Sequence, residues 1–261
     1  AAIPPDLSDP SDGPTKANRA DGVDGVDGVD RIDPRLALVE RFFHGTGASY
    51  DFMVHAATFG IDRWWKRRIV QHVPPTSRRA AALACGTGIS TLAIARRLPH
   101  CQVTGVELRD EYLQIAQGKV QRLGLANVEL VLSRAEDWRP AMRFDCISSS
   151  YLAKYADLPR LVGNARELLE PGGLPLLHDF SLPPKPALVR LWRLYFRGLQ
   201  GLGGAFFPEW REIYHGLPKL IEQTRWLEEL PLALAEKGFV DIRREDLTLY
   251  GSAIVTARRP P

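Results

Sequence analysis

Between residues 80 and 178 the chain switches repeatedly between two periodicities, and that switching limits its fold more than any other feature. Apolar runs at 80–84, 102–106, 128–132, 144–148 and 174–178 are short and sharply bounded, as strands are. Helical spacing occupies 90–98, 110–123 and 158–169, and Pro171-Gly172-Gly173 turns the chain into the last of these strands. Parallel strands need long crossovers, so this order predicts an α/β fold, a doubly wound sheet with helices on both faces. After residue 181 the order changes to a helical insert, 182–232, and two closing strands, 239–244 and 247–257. Their link is too short for a helical crossover, which makes the closing pair an antiparallel hairpin.

Upstream, residues 35–72 read as helix through Leu36, Leu38, Val39, Phe42 and Phe43, then Ile61, Trp64, Trp65 and Ile69. Pro74-Pro75 stops the run, giving an N-terminal helical cap over 35–75 and a main domain over 76–261. Residues 1–34 are rich in Asp, Pro and Gly, with an Asp-Gly-Val repeat from Asp21 to Asp30. So few large apolar groups cannot offset the entropy of ordering, and a disordered acidic tail is expected there.

Composition narrows the function classes. No apolar stretch reaches the roughly 18–20 residues of a membrane span. Three cysteines without CxxC spacing argue against a disulfide scaffold or a zinc site, so no metal and a reducing, cytoplasmic setting are expected. The opening Ala1-Ala2-Ile3-Pro4-Pro5 lacks the basic-then-apolar run of a secretory signal. Net charge is +3, but the first 34 residues hold eight Asp against Lys16, Arg19 and Arg31, which leaves +8 on the remainder. A basic body attracts anionic partners. No Lys/Arg block or nucleic-acid motif is present, so a nucleic-acid partner is not expected.

The segment Ala82-Leu83-Ala84-Cys85-Gly86-Thr87-Gly88 links a buried strand to a helix. Without side chains there, a ligand can approach the backbone closely. Glu107 follows Gly88 by nineteen residues, at the end of the next strand. A carboxylate at that place accepts hydrogen bonds from both hydroxyls of a ribose, in a nicotinamide site or an adenosylmethionine site. Thr91 stands where GxGxxG has its third glycine, which disfavours the nicotinamide reading. Arg134-Ala135-Glu136-Asp137-Trp138 follows the third strand, where a loop flanks an adenine.

Joined by Phe144-Asp145-Cys146-Ile147 and Glu170-Pro171-Gly172-Gly173, these segments resemble class I S-adenosylmethionine-dependent methyltransferases over residues 76–181. The resemblance implies a Rossmann-like, seven-stranded doubly wound sheet with an antiparallel last strand. It implies S-adenosyl-L-methionine as cofactor, contacted by Cys85, Gly86, Thr87, Gly88, Glu107, Leu108, Ala135, Glu136 and Ser149, with Tyr50 reaching in from the cap. Tyr50-Asp51-Phe52-Met53 and the run from Phe59 to Arg67 are similar to the N-terminal signature of UbiE-type methyltransferases of ubiquinone and menaquinone synthesis. His178-Asp179-Phe180-Ser181 resembles that family's second signature, with Asp179 for its usual Glu. Four places depart from the pattern. Ala82 replaces the first-strand acid, Val54 an Asn, Asp62 a His, and Ala153-Lys154 an Arg-Asn pair.

Methyl transfer from a sulfonium is a displacement governed by alignment, and a ring-carbon nucleophile also needs a phenolic proton removed or polarised. His178 is the expected base, with Asp179 beside it and Tyr151 orienting substrate or cofactor. Trp210, Tyr214 and His215 are expected to line the pocket from the insert. Residues 186–200 place Leu188, Leu191, Trp192, Tyr195, Phe196 and Leu199 near one stripe, beside Arg190, Arg193 and Arg197. Such a segment suits a lid over an apolar acceptor, a peripheral membrane contact or ordinary core packing. The reading is a methyltransferase acting on a hydrophobic or aromatic small molecule such as a quinone precursor, and a homodimer is compatible with it. Three alternatives stay open: an enzyme of this fold that forms rhodoquinone by amino exchange, a nicotinamide enzyme, and a non-catalytic cofactor-binding protein.

Overall fold

The computed structural model describes residues 33–261 and contains seven strands. They are β1 (Arg79–Leu83), β2 (Gln102–Glu107), β3 (Val128–Leu132), β4 (Phe144–Ser150), β5 (Leu169–Phe180), β6 (Val240–Leu247) and β7 (Ser252–Arg258). One sheet holds them in the order β3-β2-β1-β4-β5-β7-β6. The pairs among β1 to β5 are parallel, while β7 runs antiparallel to both β5 and β6. This is the sheet and closing hairpin that the alternation predicts.

Period-two alternation gives the sheet two apolar faces. Ala80, Val103, Cys146, Leu176 and Ile254 join a core with α3 (Ile61–His72) and α4 (Ile89–Arg97). Ala81, Leu83, Val106, Ile147, Leu177 and Val255 join the opposite core with α6 (Leu158–Leu168) and α9 (Trp226–Glu236). Each large aliphatic side chain so buried contributes about 1.5–3 kcal/mol. The helix α5 (Asp110–Leu123) ends at Gly124, whose φ of 59° is the left-handed cap that terminates helices cheaply.

The N-terminal region differs from the single helical stretch expected. Asp33 caps α1 (Pro34–Phe43) by accepting from the Arg35 N–H at 3.0 Å, with Pro34 in the first turn. Pro34 therefore belongs to a helix and Asp33 caps it; the remainder of the expected disordered tail lies outside the described residues. The chain breaks at Gly45 (φ 69°), resumes as α2 (Tyr50–Ala57), and breaks again at Phe59 and Gly60 (φ 50° and 77°). Left-handed residues cannot continue a right-handed helix. Only α1 and α2 form a cap, packing Phe42 and Met53 against Ile213 and Tyr214 of α8 (Arg211–Gln223). In contrast, α3 lies on the sheet through Trp65, Ile69 and Val70.

The insert is shorter than the expected 182–232. Trp226, Leu230, Ala233 and Leu234 of α9 are buried against the sheet, so α9 belongs to the main domain. The roof consists of α7 (Pro186–Phe206) and α8. On α7, Tyr195, Phe196 and Leu199 face inward, whereas Leu191 is 55% exposed and leaves the expected inner stripe. Among the described residues no helix is long and apolar enough to cross a membrane.

Candidate active site

Beyond β1 the chain turns through Ala84 (φ 50°), Gly86 (φ 58°) and Gly88 (φ 85°) into α4. The Cys85 N–H donates to the Val106 carbonyl at 2.9 Å, drawing the turn against β2. Glu107 closes the arrangement, accepting from the Gly86 N–H at 2.8 Å and the Arg109 N–H at 3.0 Å. Burial raises its carboxyl above the usual range, and those two N–H groups pull it back. The two glycines do different work. Gly86 lines the cavity beside Glu107, where a Cβ would project toward the Tyr112 ring at 4.0 Å. At Gly88 a Cβ would sit 3.1 Å from the Ala116 Cβ, so this position packs α4 against α5.

Three cavities open at the carboxyl ends of the strands. The first, beneath α1, is walled by Gly86, Glu107, Leu108, Ala135 and Glu136. Glu136 is buried and ion-paired with Arg134 at 3.1 Å, which also reaches Asp33 at 2.6 Å. The second lies under the glycine turn, with Cys85, Thr87 and Ser149 on its wall together with Asp62 and Lys66. Thr87 is also tied through Asp51 and Lys119 to α2 and α5. The Ser149 hydroxyl is buried without a partner, and burial and Glu107 push the Cys85 thiol up, so it stays protonated. The third cavity is aromatic and apolar, formed by Tyr155, Phe180, Tyr195, Phe196, Trp210 and Tyr214 around Lys154. Tyr50 and Tyr151 line all three.

Tyr151 has a φ of 66°, unusual for an aromatic residue and a strained conformation the surroundings must enforce. Its N–H donates to the His178 carbonyl at 2.8 Å, its ring stacks on Phe180 at 4.7 Å, and its hydroxyl donates to Asp62 Oδ1 at 2.5 Å. Burial and the neighbouring Asp62 hold the phenol well above its ordinary pKa. The Tyr50 ring packs against Tyr112 and Trp210.

His178 is not placed to act as a base. It is fully buried, lines none of these three cavities, and both ring nitrogens are engaged, Nδ1 with Ser150 Oγ at 2.8 Å and Nε2 with Ser252 Oγ at 2.6 Å. Ser252 donates onward to the Asp179 carbonyl, so its oxygen accepts from Nε2–H. Burial, with Lys66 and Lys154 nearby, keeps its pKa well below 6.5. Asp179 is likewise enclosed, accepting from the Lys154 ammonium at 2.5 Å and from the Lys154 and Phe180 N–H groups. Of the insert residues, Trp210 and Tyr214 line the third cavity, while His215 is exposed and lines none.

The sequence reading missed Asp62, Lys66 and Lys154 as site residues. Asp62 and Lys66 form an i,i+4 pair of opposite charge, which in sequence reads as the solvated face of a helix. Lys154 was visible only as a departure from the Arg-Asn pattern.

Residues 31–258 match the sequence profile of the ubiE/COQ5 methyltransferase family. The chain belongs to this family. A demethylmenaquinone methyltransferase of Thermus thermophilus is 31% identical over 214 residues, covering 81% of this chain and 96% of that one. One from Staphylococcus aureus is 25% identical over 214 residues, covering 80% and 88%. Among solved structures, phosphoethanolamine N-methyltransferase 2 of Haemonchus contortus bound to S-adenosyl-L-methionine superposes with a TM-score of 0.62 at 15% identity, over 88% of this chain and 61% of that one. Geranyl diphosphate C-methyltransferase of Streptomyces coelicolor gives 0.54 at 16% identity, over 76% of each chain. These structures share the fold. As a ubiE/COQ5 family member the protein is an S-adenosylmethionine-dependent methyltransferase, which disfavours the nicotinamide and non-catalytic readings. The cleft fits that cofactor: a buried carboxylate faces a bend where a Cβ would enter the cavity.

Proposed function

We propose that this methyltransferase transfers the methyl group to a ring carbon of a hydroxylated aromatic acceptor bearing an apolar chain, as a demethylmenaquinol does. The observation that carries this reading is the aromatic cavity holding one buried ammonium, Lys154, and meeting the cofactor cleft at Tyr50 and Tyr151. The names of the Thermus and Staphylococcus relatives agree with it.

The bound cofactor supplies an electrophilic methyl group on a sulfonium. Gly86, Glu107, Ala135 and Glu136 would hold its adenosine part, and Tyr50 and Tyr151 bound the place where the cavities meet. Carbon methylation draws electron density from a ring oxygen, and an oxyanion is favoured beside an ammonium in a water-poor site. Lys154 fits that role: its Nζ lies 4.6 Å over the Tyr155 ring and 5.3 Å over the Tyr151 ring, inside the acceptor cavity. Asp179 positions Lys154 from below. The roof of α7 and α8 keeps water from the reacting atoms, supplying the apolar walls Tyr195, Phe196, Ile213 and Tyr214.

The outer side of α7 exposes Leu191, Leu194, Leu202 and Phe206 beside the exposed Arg190, Arg193 and Arg197. This combination supports peripheral docking on an anionic bilayer, from which a lipid-tailed acceptor is delivered. Incubation with methyl-labelled S-adenosylmethionine and a short-chain demethylmenaquinol tests the acceptor class. One label per ring, on carbon, is expected. Label on oxygen or nitrogen, or turnover with other acceptors alone, overturns it.

A further inference from the structure

On α3, Asp62 and Lys66 stand one helical turn apart and line the cavity beneath the Cys85-Gly86 bend. Their side chains are 5% and 12% exposed. Buried opposite charges ordinarily close on each other, because desolvation is costly unless every donor and acceptor is used. This pair stays open. Lys66 Nζ lies 4.0 Å from Asp62 Oδ1, beyond hydrogen-bond distance. Asp62 spends Oδ1 on the Tyr151 hydroxyl, and Lys66 spends one N–H on Ser150 Oγ at 2.6 Å. Asp62 Oδ2 and two of the three ammonium donors have no hydrogen-bond partner among the described residues. The Lys66 ammonium also lies 4.3 Å over the Tyr151 ring, but a cavity offering one free carboxylate oxygen and an ammonium with two free donors is complementary to a zwitterion.

The strand beneath supplies no charge, since Ala82 lines this same cavity. The cavity is continuous with the adenosine cleft through Ala84, Gly86 and Ser150, which line both. We propose that Asp62 binds the α-ammonium and Lys66 the α-carboxylate of the amino-acid end of S-adenosylmethionine, so that α3 provides the acidic partner absent from β1. The assignment rests on the cofactor reading of the first cavity. It gives the Asp at position 62 a purpose, because a neutral imidazole there would offer the ammonium no charge.

Calorimetry with two ligands tests it: S-adenosylhomocysteine, and 5′-methylthioadenosine, which keeps the nucleoside and sulfur but lacks the amino-acid end. Wild-type protein should bind S-adenosylhomocysteine far more tightly. Asp62→Asn and Lys66→Met should each weaken S-adenosylhomocysteine about tenfold or more, as expected for lost hydrogen bonds to charged groups, and leave methylthioadenosine nearly unchanged. Decarboxylated S-adenosylmethionine adds a second reading: its deficit against the intact cofactor should shrink in Lys66→Met and persist in Asp62→Asn. Equal losses for both ligands, or no loss, overturn the assignment. So does a wild-type protein that binds the two equally, an outcome that requires no variant to fold. Wild-type protein that binds neither ligand overturns instead the cofactor reading, and the assignment with it.

Discussion

At the scale of single residues, depth along a strand matters as much as the face a side chain takes. Leu176, His178 and Phe180 alternate onto the face covered by α3; Phe180, at the end of β5, lines the aromatic cavity, whereas His178, two residues deeper, meets Trp65. The sequence places both residues near the end of β5, and the closure of Trp65, Ser150 and Ser252 around His178 is set by tertiary packing. His178 makes a stability prediction instead. Unfolded, it takes a proton below about pH 6.5; folded, it stays neutral to well below that. Its contribution is therefore complete above that pH and shrinks as pH falls, by about 1.4 kcal/mol per pH unit for the one proton. Urea midpoints between about pH 5 and pH 7.5 should show this slope, and His178→Gln should flatten it. Asp179→Ala should destabilise by about 3–5 kcal/mol by leaving the Lys154 ammonium buried and unpaired. Lys154→Met with Asp179→Asn should be milder in urea unfolding, yet lower kcat by about 10²–10³ with cofactor affinity kept. Glu107→Ala should weaken S-adenosylhomocysteine by about 1.5–3 kcal/mol in calorimetry, the range for hydrogen bonds to a charged group.

At the scale of elements, strand positions were legible because β-period and helical runs alternate with sharp bounds; the observed β3 and α5 coincide with the expected ranges. Partition of the N-terminal helices was not legible. Trp65 and Ile69 carry the same apolar periodicity whether a helix caps a domain or lies on its sheet, and only tertiary packing assigns the face. The same ambiguity placed α9 in the insert. The glycine turn was legible as a bend, but its division of labour was not, since the closeness of Ala116 to Gly88 depends on how α4 meets α5. Gly88→Ala should cost about 1–3 kcal/mol through its φ of 85° and that contact, read as a lower urea midpoint with an unchanged slope.

Across the whole molecule, the family and cofactor were readable because glycine turn, carboxylate and post-strand loops recur in a fixed order, whereas the aromatic cavity is assembled from α2, α7, α8, the loop after β4 and the end of β5. Residues so far apart in sequence carry no joint signal. The outward face of α7 should bind vesicles rich in anionic lipid more than neutral ones. The binding should weaken with salt and with Leu191→Ser/Leu194→Ser, measured by co-sedimentation. The most direct test of the whole account is a crystal structure with S-adenosylhomocysteine bound. The ribose should lie on Glu107 and the sulfur between Tyr50 and Tyr151, facing the aromatic cavity. A nucleoside lodged elsewhere, or a sulfur turned away from Lys154 and the aromatic walls, would contradict it.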